Sequence, residues 1–539
     1  MRARLRLLAG AAVLIGLVAA VYGASIGYDF VFDDQVLVVE NPAVKLPLSS
    51  AADLLAPRQV GIVYRPLRTF SYMVDYALGG GLDARVFHAS NLVYHAAAVL
   101  VLFALARDVV GSRFGALAGA AFFAVHPLNG EAVAYVSGRR DLLSTLCVLI
   151  ALACWRFLVL GGRRDAGRLD LLARRLLGIC GMLLFGVLGL AAKESALVLP
   201  ALAWLFVPPK EPEVSTAPRR GVAAAVALIG FCVLAALVTW RLYAPTVALG
   251  IDRLKSGPLA PQPAFTLRVL GQYLLLAVWP ASLSADYAAG AFALPGSAID
   301  APSLLAGVAV LLFLATGLIL LRLDRAAGTG ILWFLVALLP VAQLVPYREI
   351  ISEHNAYLAM AGLALTVGEG FAVAERARPR LAHCVAVVLV LLLGARATVR
   401  ARVWRNNVTL WTETAAANPR GVRSHYNLGI ALTDAGKLFE ARTALDRAHE
   451  LDAEDRDVLL ALASVCGKLG DFRRAVELGT RAVAQHADPD ELAQLGWSQL
   501  NAGDADAAIA TFRRALALDP RSEAARQGLG LARARGVRF

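Results

Sequence analysis

The sequence predicts an all-α protein in two parts: a polytopic bundle of about 11–12 membrane segments, then a soluble α-solenoid. Three observations predict it. Of 539 residues, 58% are hydrophobic and only 17% charged, with a mean hydropathy of +0.61, whereas about a quarter of a soluble chain is charged. The apolar residues fall in about a dozen runs near the roughly 20 residues that cross a bilayer. From Ser424 onward the composition turns to that of soluble helix and repeats itself at offsets of 34 and 33 residues.

The first apolar run, residues 5–25, follows Arg2, Arg4 and Arg6. Its length and the lack of a clean small-residue cleavage site make it an anchor with a cytoplasmic N-terminus. Further spans are expected over 88–106, 114–125, from 142 onward, on both sides of Lys193-Glu194, and over 222–243, 304–321, 331–345, 356–372 and 385–393. The run 267–283 carries Arg268, Gln272 and Pro280. A full crossing there would put later basic clusters on the wrong side, so it reads as re-entrant or broken. The membrane domain is thus 1–396, with a first extracytoplasmic loop over 26–87, and residues 397–423 join it to the repeats. A loop of such length is usually functional.

In the tail, Leu428-Gly429 recurs as Leu462-Ala463 and Leu495-Gly496. Ala441 recurs as Ala475 and Ala508, and Gly436 as Gly470 and Gly503. Small residues where two helices touch, glycine in the turn and a period near 34 make this a tetratricopeptide pattern. Three units are expected at about 422–455, 456–488 and 489–522, plus a terminal helix within 424–539. Such stacks present a concave surface to peptides or proteins, and this one faces the extracytoplasmic side.

The net charge of +12 rests on 53 basic residues, of which only six are Lys. They are scattered through loops rather than interleaved with aromatics on a soluble module, which excludes nucleic-acid binding. The six cysteines have no metal-ligand spacing and read as small buried hydrophobes.

Ionisable groups at a membrane are functional candidates by default. Asp33 and Asp34 follow the first span. Adjacent carboxylates repel, which can leave one as a base near neutral pH; ordinary loop charges and a divalent cation site are the alternatives. Arg65 and Arg68 lie on the same loop and suit phosphate. His88, Asn91 and His95 share one helix face, as interhelical hydrogen bonds or as substrate contacts. "HPLNGEAVAYVSGRRD" packs His126, Glu131, Arg139, Arg140 and Asp141 into sixteen residues. Lys193-Glu194 interrupts an apolar stretch, and "SEHNAYL" adds Glu353 and His354.

In this order, "FDDQVLVVENP", "YRPLRTFSYMVDYALGG", "FHASNLVYHAAAVLVL", "HPLNGEAVAYVSGRRDLLSTL", "KESALVLP", "VWPASLSADY" and "EHNAYLAMAGLAL", followed by the repeats, resemble the transmembrane and tetratricopeptide-repeat-containing O-mannosyltransferases and their bacterial relatives. The resemblance covers nearly the whole chain. It implies a GT-C-like membrane glycosyltransferase of the bacterial inner membrane, moving one sugar from a polyprenyl-phosphate carrier to a hydroxyl acceptor, a protein or glycan docked on the repeats. It places the reaction centre at Asp33 and Asp34, with Asp34 favoured as base and Asp33 orienting the acceptor. Arg65, Arg139, Arg140 and Lys193 become the cations for the lipid phosphate, and His88, His95, His126, Glu131, Glu194, Glu353 and His354 line the pocket. No dinucleotide-binding glycine motif suggests a nucleotide-sugar donor, and a divalent cation at Asp33 and Asp34 is the one cofactor candidate. One departure stands out: family members usually carry Glu-Arg where this chain has Glu353-His354. A polysaccharide polymerase, an O-oligosaccharide ligase and a non-catalytic repeat scaffold are the competing readings.

Overall fold

The computed structural model describes residues 2–55, 65–160, 168–206, 263–287, 300–344 and 350–536, together with Cys232. It divides into two compact units, Met1–Ala285 with Leu294–Asn406, and Asp286–Ala293 with Asn407–Phe539. Among the described residues every regular element is helical.

The first unit contains α1 (Arg2–Tyr22), α2 (Pro66–Gly79), α3 (Ala84–Val109), α4 (Arg113–Val125), α5 (Gly130–Ala134), α6 (Arg139–Cys154), α7 (Arg168–Ala192), α8 (Leu199–Leu205), α9 (Pro263–Val278), α10 (Ala301–Arg322), α11 (Ala326–Leu338), α12 (Tyr357–Ala377) and α13 (Pro379–Val403). Seven helical stretches among the described residues are long and apolar enough to cross a membrane, and four more are apolar but shorter. On α10 and α13 the residues Leu304, Leu305, Leu311, Leu391 and Leu392 are exposed. Such patches would be a liability in water and are the expected dress of a helix in lipid. The chain is an integral membrane protein.

Several sequence expectations change. The first loop is not loop throughout. Pro66 starts α2 and Gly80, in the left-handed region at φ 64°, stops it, as proline at the start and glycine just past the end of a helix should. The segment 126–138 was expected to be a loop; every residue of it is buried. The reason is length. The thirteen residues of α4 rise only about 20 Å, short of a hydrocarbon core of about 30 Å. The basic stretch after α6 is not loop throughout, since α7 already begins at Arg168, because Arg, Leu and Ala are good helix formers. The ambiguous segment forms α9, sixteen residues that end before Trp279-Pro280, about 24 Å long. The expected span over 222–243 lies outside the described residues. At the far end α13 does not stop near 396. It runs to Val403 with Arg400 and Trp404 buried, which carries the unit boundary to Asn406. Of the cysteines, Cys147 and Cys466 are buried, but Cys180, Cys232 and Cys384 are exposed, so the buried reading fails for those three.

The second unit begins with α14 (Asn407–Ala417). Three pairs follow: α15 (Val422–Asp434) with α16 (Leu438–Leu451), α17 (Arg456–Lys468) with α18 (Phe472–Gln485), and α19 (Pro489–Asn501) with α20 (Ala505–Leu518). Then comes α21 (Glu523–Gly536). Gly436, Gly470 and Gly503 turn each pair at φ 74°, 83° and 92°. Ala441, Ala475 and Ala508 are buried where helices meet.

Among the described residues of the first unit, α4 packs closely on α12. A Cβ on Gly119 would strike the carbonyl oxygen of Ala364, and one on Gly115 the carbonyl oxygen of Gly368. Close approach of backbones through small residues is how membrane helices gain packing without a hydrophobic drive. Gly119→Leu is therefore expected to destabilise the fold by about 1–3 kcal/mol or more. Gly370→Ala, which meets open space, is expected to be neutral; thermal unfolding of the detergent-solubilised protein compares the two.

Candidate active site

The site is built on one buried arginine. Arg139, at the N-terminus of α6, is fully buried. It forms an ion pair with Asp75 of α2 and donates to the Asn91 side chain at 2.8 Å and the Phe87 carbonyl at 2.6 Å, both on α3. Its guanidinium lies 4.8 Å from the Tyr72 ring centroid and 5.6 Å from that of Tyr94. Ser90 donates to the other oxygen of Asp75 at 2.6 Å. Asn91, oriented by Arg139, donates to the carbonyls of Val133 and Tyr135 at 3.3 and 2.9 Å. Three helices and the turn at 133–135 are thus tied at one point.

The stretch from that turn to Ser137 carries the two residues that organise Asp33 and Asp34. Asp34 is wholly buried. One oxygen accepts from the Ser137 amide and hydroxyl at 2.8 and 2.5 Å, and the other from the Val31 amide at 3.1 Å. Burial pushes its carboxyl up to about 7; the hydrogen bonds from Ser137 and Val31 oppose the rise and the Asp33 charge adds to it. Asp33 is partly exposed, and its amide donates to the Tyr135 hydroxyl at 3.2 Å. Just before it, Phe32 sits at φ 52°, a conformation that disfavours an L-residue by about 1–2 kcal/mol. Hydrogen bonds to a charged group contribute about 1.5–3 kcal/mol each, so the three on Asp34 outweigh that strain.

The basic groups divide by their partners. Arg65 donates to both oxygens of Glu194 at 3.0 Å. Lys193, buried, donates at 2.6 Å to both Asp141 and Asn355; burial pushes its pKa down and the Asp141 charge opposes that. Arg140 donates to Nε2 of His354 at 2.8 Å, while His354 Nδ1 lies 2.8 Å from Glu131. A guanidinium cannot accept, so His354 is the Nδ1–H tautomer with its lone pair toward Arg140. Arg68 differs from these. It is 3% exposed, its Nε has no hydrogen-bond partner among the described residues, and its guanidinium lies 6.0 Å from the Tyr72 ring centroid. Burial draws it down to about 10, and the charges of Arg65 and Arg140 act in the same direction.

The carboxylates and the guanidiniums meet around one tyrosine. The charges of Asp33, Asp34 and Arg140 all act on the Tyr135 hydroxyl, and those of Arg65 and Arg140 act on Arg68. Other expected site residues are committed elsewhere. Arg139 is saturated by protein partners and is a strut, not a phosphate ligand. His95 donates from Nε2 to the Ala124 carbonyl at 3.1 Å and accepts from the Tyr357 hydroxyl at 2.6 Å. His126 accepts from the Leu128 amide and donates to the Ala277 carbonyl, and burial holds it neutral, down to about 3. His88 lies 3.4 Å from the Asp29 carbonyl, and Glu353 pairs with Arg400 at 3.0 Å. A divalent cation between Asp33 and Asp34 does not fit, because Asp34 is surrounded by N–H and O–H donors rather than by further oxygen ligands. Sequence reading had no signal for Phe32, Tyr135 and Ser137, whose roles depend on contacts about 100 residues apart.

Removing Arg139 should be severe. Arg139→Leu leaves Asp75 buried without its counter-charge, a loss of about 3–5 kcal/mol against total stabilities of about 5–15 kcal/mol. Pairing it with Asp75→Asn is expected to recover part of that loss in the same thermal unfolding measurement.

Residues 492–522 match the family model described as a tetratricopeptide repeat. The chain is 26% identical to "Protein O-mannosyl-transferase F38B6.6" of Caenorhabditis elegans, over 82% of this chain and 62% of that protein. It is 25% identical to "Protein O-mannosyl-transferase TMTC4" of Mus musculus, over 80% of this chain and 65% of that protein. It therefore spans less than two thirds of the length of either. Among solved structures, ArnT from Cupriavidus metallidurans bound to undecaprenyl phosphate is 14% identical, covers 90% of this chain and 79% of its own, and superposes with a TM-score of 0.39. Over about four fifths of its length, this chain is similar in sequence to proteins named protein O-mannosyl-transferases.

Proposed function

We propose that the chain is a membrane glycosyltransferase that moves a single sugar, mannose by analogy with its relatives' names, from a polyprenyl-phosphate carrier to a Ser or Thr hydroxyl of a protein. The observation that carries this reading is Arg68, a buried residue whose Nε has no hydrogen-bond partner among the described residues, in the electrostatic neighbourhood that also holds Asp33. An unpaired buried charge is costly; an anionic ligand would relieve it. A non-catalytic scaffold has no use for that arrangement.

In this reading Asp33, not Asp34, is the base. A group with no exposed surface cannot reach an acceptor, whereas Asp33 is partly open. Its carboxylate takes the acceptor's hydroxyl proton as that oxygen attacks the anomeric carbon. The bond from the anomeric carbon to the phosphate oxygen breaks, and its electron pair leaves with the lipid phosphate. Arg68, Arg140 and Arg65 stabilise the negative charge that develops there. Lys193 orders the floor of the site through Asp141 and Asn355. The Glu353-His354 departure is then compatible with the chemistry, since neutral His354 holds Arg140 and keeps a guanidinium at the site. The basic clusters favour a cytoplasmic N-terminus, with the site and the repeats outside; for a bacterial chain that means the inner membrane. The concave face of such repeats suits an extended acceptor.

Transfer of labelled mannose from polyprenyl-phosphate mannose to peptide, with the full chain in proteoliposomes, tests the assignment. Asp33→Asn is expected to lower kcat by about 100-fold or more with donor KM little changed; full transfer by this variant would sink the proposal. Arg68→Gln is expected to lower kcat/KM for the donor by about 10- to 100-fold. The pH dependence has a definite sign. Asp34 holds its three donors best when ionised, so activity should rise with pH through about 7 and fall about tenfold per unit below it. Asp34→Asn, which cannot titrate, should be slow but lack that acid limb.

A further inference from the structure

The backbone at Phe32 has a second support besides the hydrogen bonds on Asp34: an aromatic stack runs away from the carboxylates. The Phe32 ring stacks on Tyr135 with centroids 6.3 Å apart, and Tyr135 stacks on Trp404 at 4.7 Å with an interplanar angle of 22°. Trp404 lies at the C-terminal end of α13 and is 1% exposed. The Arg400 guanidinium lies 5.8 Å from its ring centroid, and Arg400 is fixed in turn by Glu353. A second link runs along the backbone, where the Asp29 amide donates to the Arg405 carbonyl at 3.0 Å. The segment that carries Asp33 therefore rests on the last turn of a helix some 370 residues later in the chain, through a ring stack and a hydrogen bond.

We propose that this turn, with Trp404 at its centre, is a positioning element for Asp33: by backing Tyr135 it keeps the tyrosine hydroxyl under the Asp33 amide and the Phe32 backbone in its disfavoured conformation. Trp404 touches no reacting atom in this scheme. Its indole is large and flat enough to fix the plane of Tyr135, and the Arg400–Glu353 pair fixes the indole. Stacked aromatics interact beyond the area they bury, and residues held in sparsely populated backbone regions persist only where their surroundings over-determine them. The catalytic consequence rests on the glycosyl-transfer reading above; the mechanical one does not.

The test uses the full chain in detergent or proteoliposomes, with Trp404→Leu, Trp404→Phe and Tyr135→Phe. Hydrogen exchange of residues 29–37 reads the mechanical arm. Trp404→Leu should speed amide exchange in this segment at least about tenfold, while Trp404→Phe stays within about threefold of the parent. Tyr135→Phe keeps the stack but removes the acceptor, so faster exchange should be confined to the neighbourhood of Asp33. Mannose transfer reads the other arm: Trp404→Leu should lower kcat about tenfold or more at unchanged donor KM, with Trp404→Phe rescuing most of it. Unaltered exchange in Trp404→Leu overturns the proposal, even if the parent protein transfers no mannose. Absence of transfer by the parent, with exchange altered as expected, overturns the mannose-transfer reading and leaves the positioning role standing. If Trp404→Leu does not fold, Tyr135→Phe decides the mechanical arm alone, and exchange unchanged around Asp33 in that variant overturns it.

Discussion

The first unit depends on the burial of one guanidinium. Arg139 cannot be left without partners away from water, because an unpaired charge there is far more costly than any single packing defect. Its partners are accordingly drawn from everything around it: a carboxylate and an aromatic ring from α2, a carbonyl and an amide from α3, and through that amide the turn at 133–135. Because this constraint fixes where Tyr135 lies, it also fixes where the Asp33 amide can go, and so where a substrate could be met.

The division between structural and free charges follows from counting acceptors. Arg65, Arg139 and Lys193 each have a carboxylate partner, and Arg140 has a neutral imidazole together with a carboxylate 3.5 Å away. Among the described residues Arg68 has no such partner at Nε, and its guanidinium faces the Tyr72 ring at 6.0 Å. A row of basic residues along a sequence looks uniform; inside the fold they differ by what already neutralises them. The two adjacent aspartates separate in the same way. Asp34 is turned inward to hold the chain, and Asp33 stays partly exposed.

Much of this architecture was legible before any coordinates. The apolar runs gave the membrane helices because lipid leaves few backbone solutions, and the glycine and alanine register gave the repeats because helix pairs must touch closely. The DD pair, the arginines after it and the crowded segment 126–141 were recognisable as out of place in a membrane chain. Their division of labour was not. Whether Arg139 binds a ligand or ties helices depends on Asp75 and Asn91, whose distance from it along the chain carries no periodic signal. The choice between Asp33 and Asp34 turns on Ser137, an unremarkable serine in sequence. The helix 66–79 was missed because its flanking loop suggested irregular chain, although Pro66 and Gly80 mark its ends.

The long reach of these contacts bears on how the protein is made. Asp34 emerges from the ribosome about a hundred residues before Ser137 and some 370 before Trp404. A nascent chain that has inserted only its first spans holds Asp34, Asp75 and, somewhat later, Arg139 with their partners incomplete. Such groups are tolerated in water or in the lateral opening of the insertion machinery, not in lipid. Biogenesis therefore has to keep the early helices from settling until the last one arrives, and the candidate site assembles only when the membrane unit is complete. A prematurely terminated product would thus lack the ordered site around Asp33 and Asp34.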